Sequence, residues 1–340
     1  MIRFGLLGFG AIGQFRAASL LQTPGAALTV ICERDEKLLA VAASKYKVVT
    51  TSKYEDMLSR DDVDVIIVST PPNLHREHCE AAFTHNKHVL CEKPIATNVE
   101  DAQKMVEAAE KAGRVLGTGF NYRFYPAIAK IRAIINAGEI GDIDHIRSFA
   151  GHPGGPEFTH PWVHRPEIMG GGALMDNGIH VIDLSLHFLG KPTESMGMAT
   201  DHTWLFGQSE DNGFLLMRND KGNVASVQAS WTEWRGYQFN VEVYGTEGCV
   251  RASYPPMFCS LRKKPVGSAK RGRKKNFWFP VFQVNERLKS YRWTIVESFI
   301  AEQRDFILRI GGEIGVGATG MDGLYAVKAA QSAVHLSRVE

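Results

Sequence analysis

Over the first 120 or so residues, short apolar runs alternate with stretches whose apolar positions recur every three or four residues. The runs Ile2–Leu7, Leu28–Cys32, Val48–Thr51, Val63–Ser69, Lys87–Cys91 and Val115–Thr118 read as strands. Gln14–Leu21, Glu36–Lys45, Tyr54–Ser59, His75–Asn86 and Glu100–Ala112 read as helices. Val63–Ser69 is almost continuously apolar, as in a parallel strand covered on both faces, and Thr70-Pro71-Pro72 stops it. The rhythm predicts an α/β domain with a doubly wound parallel sheet.

After about Phe120 the pattern changes. A helix is expected over Pro126–Ala137 and a strand over Ile143–Phe149, followed by a Gly-, Pro- and His-rich loop at 151–172 and a helix over Asp176–Leu189. Gly213–Met217, Ala225–Trp231 and Gln238–Tyr244 read as strands. The stretches Asn219-Asp220-Lys221-Gly222 and Gly245-Thr246-Glu247-Gly248 are hairpin turns. Two terminal helices run from Thr294 to Ile310 and from Gly320 to Arg338. This second part reads as α+β with a large, mostly antiparallel open sheet. The expected boundary splits 1–121 from 122–340, in keeping with a length of 340 residues.

The composition is that of an ordinary soluble globular protein, with no apolar run long enough for a membrane span and no room for a leader before the first strand. The cysteines (Cys32, Cys79, Cys91, Cys249, Cys259) have no C-x-x-C spacing and read as reduced thiols of a cytoplasmic protein. The net charge of +2 hides an asymmetry: residues 262–275 hold eight Lys and Arg and no acid, leaving 31 basic against 37 acidic residues elsewhere. A mildly acidic body argues against nucleic-acid binding. The basic run itself is expected to be an exposed mobile loop, with an anion-binding patch as the alternative.

Three stretches carry chemistry. Gly8-Phe9-Gly10-Ala11-Ile12-Gly13 lies between the first strand and the first helix. Gly8 suits the tight turn, Gly10 the approach of a pyrophosphate and Gly13 close helix–strand packing, with the helix N-terminus facing the phosphates. Glu33 ends the next strand, where an acid accepts from the ribose hydroxyls, which predicts NAD; Arg34 beside it makes NADP the alternative. Glu92-Lys93-Pro94 ends a later strand, where ligands of such sheets bind. Its lysine suits proton transfer, against a solvated turn lysine as the bland reading. Asp176, His180, Asp183 and His187 recur as a polar stripe on one helix after Gly170-Gly171-Gly172. Such a pair does acid–base work; a metal is the weaker reading, since no further ligand cluster accompanies it.

Together these stretches, with Ser69-Thr70-Pro71-Pro72-Asn73-Leu74-His75 and His88–Pro94, resemble the Gfo/Idh/MocA oxidoreductases, of the glucose–fructose oxidoreductase and inositol dehydrogenase type, over nearly the whole chain. The resemblance implies a Rossmann domain followed by a substrate domain whose open sheet forms homodimers or homotetramers. It implies Lys93 and His180 at the reacting carbon with Asp176 beside them, and a cis bond before Pro94. The implied cofactor residues are Gly8, Phe9, Gly10, Ala11, Ile12, Gly13, Glu33, Arg34, Thr70, Pro71, Asn73, His75, Glu92, Lys93 and Asn121. The implied substrate residues are Lys93, Arg123, Trp162, Asp176 and His180, at a cleft between the domains. Val163 departs from the family pattern, which commonly has Arg after the tryptophan. His152, Glu157, His160, Arg165, Glu233 and Trp234 are further pocket candidates. The implied activity is hydride transfer between nicotinamide and a secondary alcohol or ketone of a sugar, polyol or derivative. The alternatives are an NAD-dependent glycoside hydrolase or lyase using transient oxidation, and a non-catalytic NAD-binding protein.

Overall fold

The computed structural model describes all residues except 156–159, 208, 268, 269, 271 and 337–340. Its first elements are β1 (Ile2–Leu7), α1 (Ala11–Leu20), β2 (Ala26–Cys32), α2 (Glu36–Lys45), β3 (Val49–Thr51), α3 (Tyr54–Leu58), β4 (Val65–Val68), α4 (His75–Thr84), β5 (His88–Cys91), α5 (Val99–Ala112) and β6 (Leu116–Thr118). Among the described residues these strands form a six-stranded sheet in the order β3-β2-β1-β4-β5-β6, and every pairing is parallel. The order reverses between β1 and β4, the switch point at which such sheets open a crevice beyond their carboxyl ends. Local chemistry sets the helix boundaries. The Asp35 carboxylate accepts from the Lys37 and Leu38 N–H groups at the start of α2, and Gly113 takes the left-handed conformation after α5.

The remaining elements are α6 (Pro126–Asn136), β7 (Ile143–Gly151), α7 (Pro166–Met169), α8 (Ile179–Leu189), β8 (Pro192–Thr200), β9 (Asn212–Asn219), β10 (Val224–Ser230), β11 (Gln238–Gly245), β12 (Gly248–Tyr254), β13 (Phe258–Lys263), β14 (Lys274–Trp278), α9 (Pro280–Lys289), α10 (Arg292–Ile310) and α11 (Gly320–Leu336). Their sheet has eight strands in the order β14-β13-β12-β11-β7-β10-β9-β8. It is antiparallel except where β7 and β10 run side by side in parallel. Both expected hairpin turns join antiparallel neighbours, β9 to β10 and β11 to β12. Helix α8 packs on β7, β10 and β11, and α6 packs on β12 and β13. Elsewhere on the sheet Met196, Met198, Phe214 and Leu216 are exposed although they lie in strands, around a depression of about 750 Å³.

The compact units do not divide at a single cut. The first comprises Met1–Phe124 with Tyr291–Leu324; the second comprises Tyr125–Ser290 with the chain from Tyr325 on. The return of residues 291–324 has a packing cause. Phe306 of α10 lies in the first unit's apolar core with Phe4, Leu6, Val65 and Leu90. Gly117 lets it in, since a Cβ there would stand 2.9 Å from the Phe306 ring. Ala318 accepts a hydrogen bond from the Thr118 N–H at 3.0 Å.

The basic run differs from the expected loop. Arg262 and Lys263 end β13, and Lys274 and Lys275 begin β14, so two antiparallel strands carry its ends. Lys264 pairs with Glu247 at 3.6 Å. Lys263 likewise lies 3.6 Å from Glu139, so two acids from neighbouring segments stand beside the run. Residues 268, 269 and 271 of the run lie outside the described residues.

Candidate active site

The glycine turn is built by crowding on two sides and space on the third. Gly8 has φ +91°, and a Cβ there would lie 2.7 Å from the Ser69 carbonyl oxygen. A Cβ on Gly13 would collide with the Gly8 carbonyl, whereas one on Gly10 would meet nothing within 4 Å. The open side therefore lies at the central glycine, where the first turn of α1 exposes Ala11 and Ile12. A phosphate-bearing cofactor fits this cradle: room beside a backbone N–H run, at the positive end of a helix. Phe9 is buried in the core, and its N–H donates to Glu33 Oε2 at 2.7 Å. Glu33 Oε1 accepts from the Asp35 N–H at 3.0 Å, so the carboxylate is held half-buried beside the turn. Arg34 and Asn73 are exposed, while Thr70, Pro71 and Lys93 are half-buried.

Other residues expected at the cofactor or substrate are turned into the first unit. The Lys93–Pro94 bond is cis. His75 is fully buried below it, with Nδ1 2.9 Å from the Pro94 carbonyl oxygen and Nε2 2.8 Å from that of Thr70. Burial lowers the His75 pKa, with the carbonyl bonds opposing. Glu92 accepts from Arg16 Nε at 2.5 Å, and Arg16 Nη1 donates to Glu302 at 2.5 Å. The Arg16 guanidinium is fully buried, stacked 3.7 Å from the Phe299 ring centroid. Burial alone would lower its pKa, but the two carboxylates outweigh it and raise it. Burial pushes Glu302 up to about 7, against the pull of Arg16. Asn121 donates to Ser298 Oγ at 2.8 Å, and Arg123 to the Val316 carbonyl at 3.2 Å with Asp322 at 3.5 Å. His75 and Glu92 thus brace the Lys93 turn, while Asn121 and Arg123 tie the segment after β6 to residues 298, 316 and 322.

In the second unit the expected helix over Asp176–Leu189 begins differently. Leu174–Gly178 is a π turn, closed by the Gly178 N–H on the Ala173 carbonyl at 2.8 Å, and α8 starts at Ile179. The wider turn shifts the phase between Asp176 and His180, so the four polar residues do not form a simple solvated stripe. His180 and Asp183 are buried, among Ile179, Val181, Ile182 and Leu184. The Asp176 carboxylate is held from outside its own helix: its Oδ2 lies 3.1 Å from His152 Nε2 and accepts from Trp231 Nε1 at 3.1 Å. His164 stacks on Phe206 at 3.9 Å and meets Trp231 edge-on at 5.4 Å. Val163 is buried, Trp162 is half-buried, and His160, Arg165 and Trp234 are exposed. Glu233 is tied to Arg235 at 2.8 Å. Glu157 lies outside the described residues.

Sequence reasoning missed Arg16, Glu302 and Trp231. Arg16 left one signal, a cation on the inner face of a helix that must pack against the sheet. Trp231 follows an ordinary strand pattern, and Glu302 sits in an unremarkable helix 286 residues from its partner Arg16, so neither left a local signal. Among the described residues no three His, Cys, Asp or Glu side chains gather to hold a metal ion.

Residues 2–120 match the Gfo/Idh/MocA oxidoreductase family, NAD-binding Rossmann fold, and residues 128–251 match its C-terminal domain. The chain is 32% identical to the 1,5-anhydro-D-fructose reductase of Ensifer adhaerens over 79% of each protein. It is 26% identical to the myo-inositol 2-dehydrogenase of Thermotoga maritima, over 96% of this chain and 93% of the relative. The solved complex of levoglucosan dehydrogenase with NADH and levoglucosan superposes with a TM-score of 0.83 at 26% identity, covering 98% of this chain and 96% of that one.

Proposed function

This chain belongs to the Gfo/Idh/MocA oxidoreductase family, and from that premise we propose that it moves hydride between NAD and a secondary alcohol or ketone of a cyclic sugar or polyol. The observation that carries this reading is the anchored Asp176 carboxylate, one turn ahead of His180, which with Asp183 and Ser185 is buried among the apolar residues of α8. A helix serving packing alone would fill those positions with apolar side chains, because burying polar groups is costly unless they are bonded. Relatives named for anhydrofructose, inositol and levoglucosan support the substrate class.

Bound NAD supplies the hydride acceptor, and the protein supplies position and proton transfer. Oxidation of a carbinol leaves a carbonyl, so the hydroxyl must lose its proton. Lys93 and His180 are the acid–base pair that takes it, and they return it in the reductive direction. Asp176, held by His152 and Trp231, keeps its charge in one orientation ahead of His180. Glu33 favours NAD over NADP, since a carboxylate at the ribose repels a 2′-phosphate. The exposed Met196, Met198, Phe214 and Leu216 face is read as the contact with a second copy of the chain; Phe214→Lys should then yield a monomer by light scattering.

The test is a screen of myo-inositol, levoglucosan, 1,5-anhydro-D-fructose and related sugars with NAD(H) and NADP(H), followed by nicotinamide absorbance. NAD-linked turnover of a cyclic polyol is expected. Turnover only of glycosides, without added cofactor, would overturn the reading.

A further inference from the structure

One residue takes up three consecutive backbone N–H groups at the start of the Asp176 turn. Glu210 Oε2 accepts from the Gly172 N–H at 2.7 Å, its main-chain carbonyl from Ala173 at 2.9 Å, and its Oε1 from Leu174 at 2.9 Å. These are the N–H groups that a helix start leaves without internal partners. The side chain reaches them from 36 to 38 residues away and is buried with 5% exposure. Gly172 packs so closely that a Cβ on it would strike the backbone of Ser209 and Glu210. The next links lead to the carboxylate. The Gly172 carbonyl accepts from the Asp176 N–H at 3.0 Å, so the position of Gly172 is passed to Asp176. The neighbouring Asp211 carbonyl accepts from the Trp231 N–H at 2.7 Å, and the Trp231 indole holds Asp176 Oδ2.

We propose that Glu210 is a positioning residue for the reaction: it clamps the glycine lead-in so that Asp176 and His180 are presented in one fixed geometry. The proposal rests on the acid–base reading of Asp176 and His180. A glutamate placed only for packing would not need both carboxylate oxygens on the N–H groups of Gly172 and Leu174 in a buried site, where its charge is costly. A triple glycine cannot fix its own conformation, because it lacks side chains and has maximal backbone freedom. An outside acceptor supplies the order that the glycines lack.

The experiment compares Glu210→Gln and Glu210→Asp with Asp176→Asn, using the sugar turned over best in the screen above. Glutamine keeps the size but turns an NH₂ donor toward a backbone N–H; aspartate keeps the charge but shortens the reach. For both Glu210 variants kcat is expected to fall on the order of 10- to 100-fold, the effect of a displacement near 1 Å, with KM and NAD affinity nearly unchanged. Hydrogen exchange of the 172–174 amides should quicken on the order of tenfold, while the rest of the second unit keeps its protection. Wild-type kcat in both variants, with Asp176→Asn impaired, would overturn the proposal. So would a loss of kcat that tracks loss of protection across the whole unit. Wild-type turnover in Asp176→Asn would instead sink the acid–base reading, and faster exchange confined to 172–174 would still establish the clamp.

Discussion

The two groups of candidate residues, one in each unit, are made in opposite ways. The glycine turn and the Glu92-Lys93-Pro94 segment stand at strand ends of a parallel sheet, where the topology alone opens a crevice. What they leave accessible is backbone and half-exposed side chains. The Asp176 turn is instead sunk in the second unit, and its carboxylate is aimed by His152 and Trp231, 24 and 55 residues away in sequence. A binding surface tolerates solvent and is assembled from contiguous residues. A proton-transfer group must hold one orientation, which takes partners from several elements.

The first way to break this comparison is chemical. Lys93→Met and His180→Asn should each lower kcat on the order of 10²- to 10⁴-fold, with NAD affinity in equilibrium titration much less affected. The double variant should lose less than the product of the two, because the groups act together. Near-normal turnover in both single variants on the true substrate would remove the pair from the mechanism.

The comparison sharpens within the glycine turn. Gly10→Ala places a methyl in open space and should leave thermal stability nearly unchanged while weakening NAD binding on the order of tenfold or more. Gly13→Ala meets the Gly8 carbonyl and should destabilise the first unit by roughly 1–3 kcal/mol. Equal losses of stability in the two variants would contradict the separation of ligand space from packing space.

The smallest expected effect is on pH dependence, and it concerns the first unit's buried carboxylate. Burial raises Glu302 from 4.5 to about 7, so between those values the folded state binds more protons than the unfolded one. Its contribution is therefore present below about 4.5 and is lost as pH rises toward 7, at no more than about 1.4 kcal/mol per pH unit. Glu302→Gln should flatten that part of the denaturation profile. An unchanged slope would mean that Arg16 holds both carboxylates ionised throughout. Glu210, likewise raised to about 7 by burial, contributes with the same sign in the second unit.

Much of this protein was legible in its residues. Apolar runs and their spacing gave the parallel sheet, the two hairpins and most helix limits to within a few positions. The three glycines stand as their motif implied, and the cis bond before Pro94 as the family resemblance implied. These features depend on backbone conformation and on neighbours in the chain, and such short-range forces leave a short-range pattern. Strands β13 and β14 were not legible, because lysines and arginines at their ends masked the alternation.

Tertiary structure alone decided the rest. It drew residues 291–324 back to the nucleotide-binding unit, because Phe306 and Glu302 find their apolar and charged partners there. It widened the start of α8 into a π turn and set Asp176 against His152 and Trp231. The physical reason is common to these cases. A buried charge or polar group is stable only with partners that satisfy it, and here they lie dozens to hundreds of residues away along the chain.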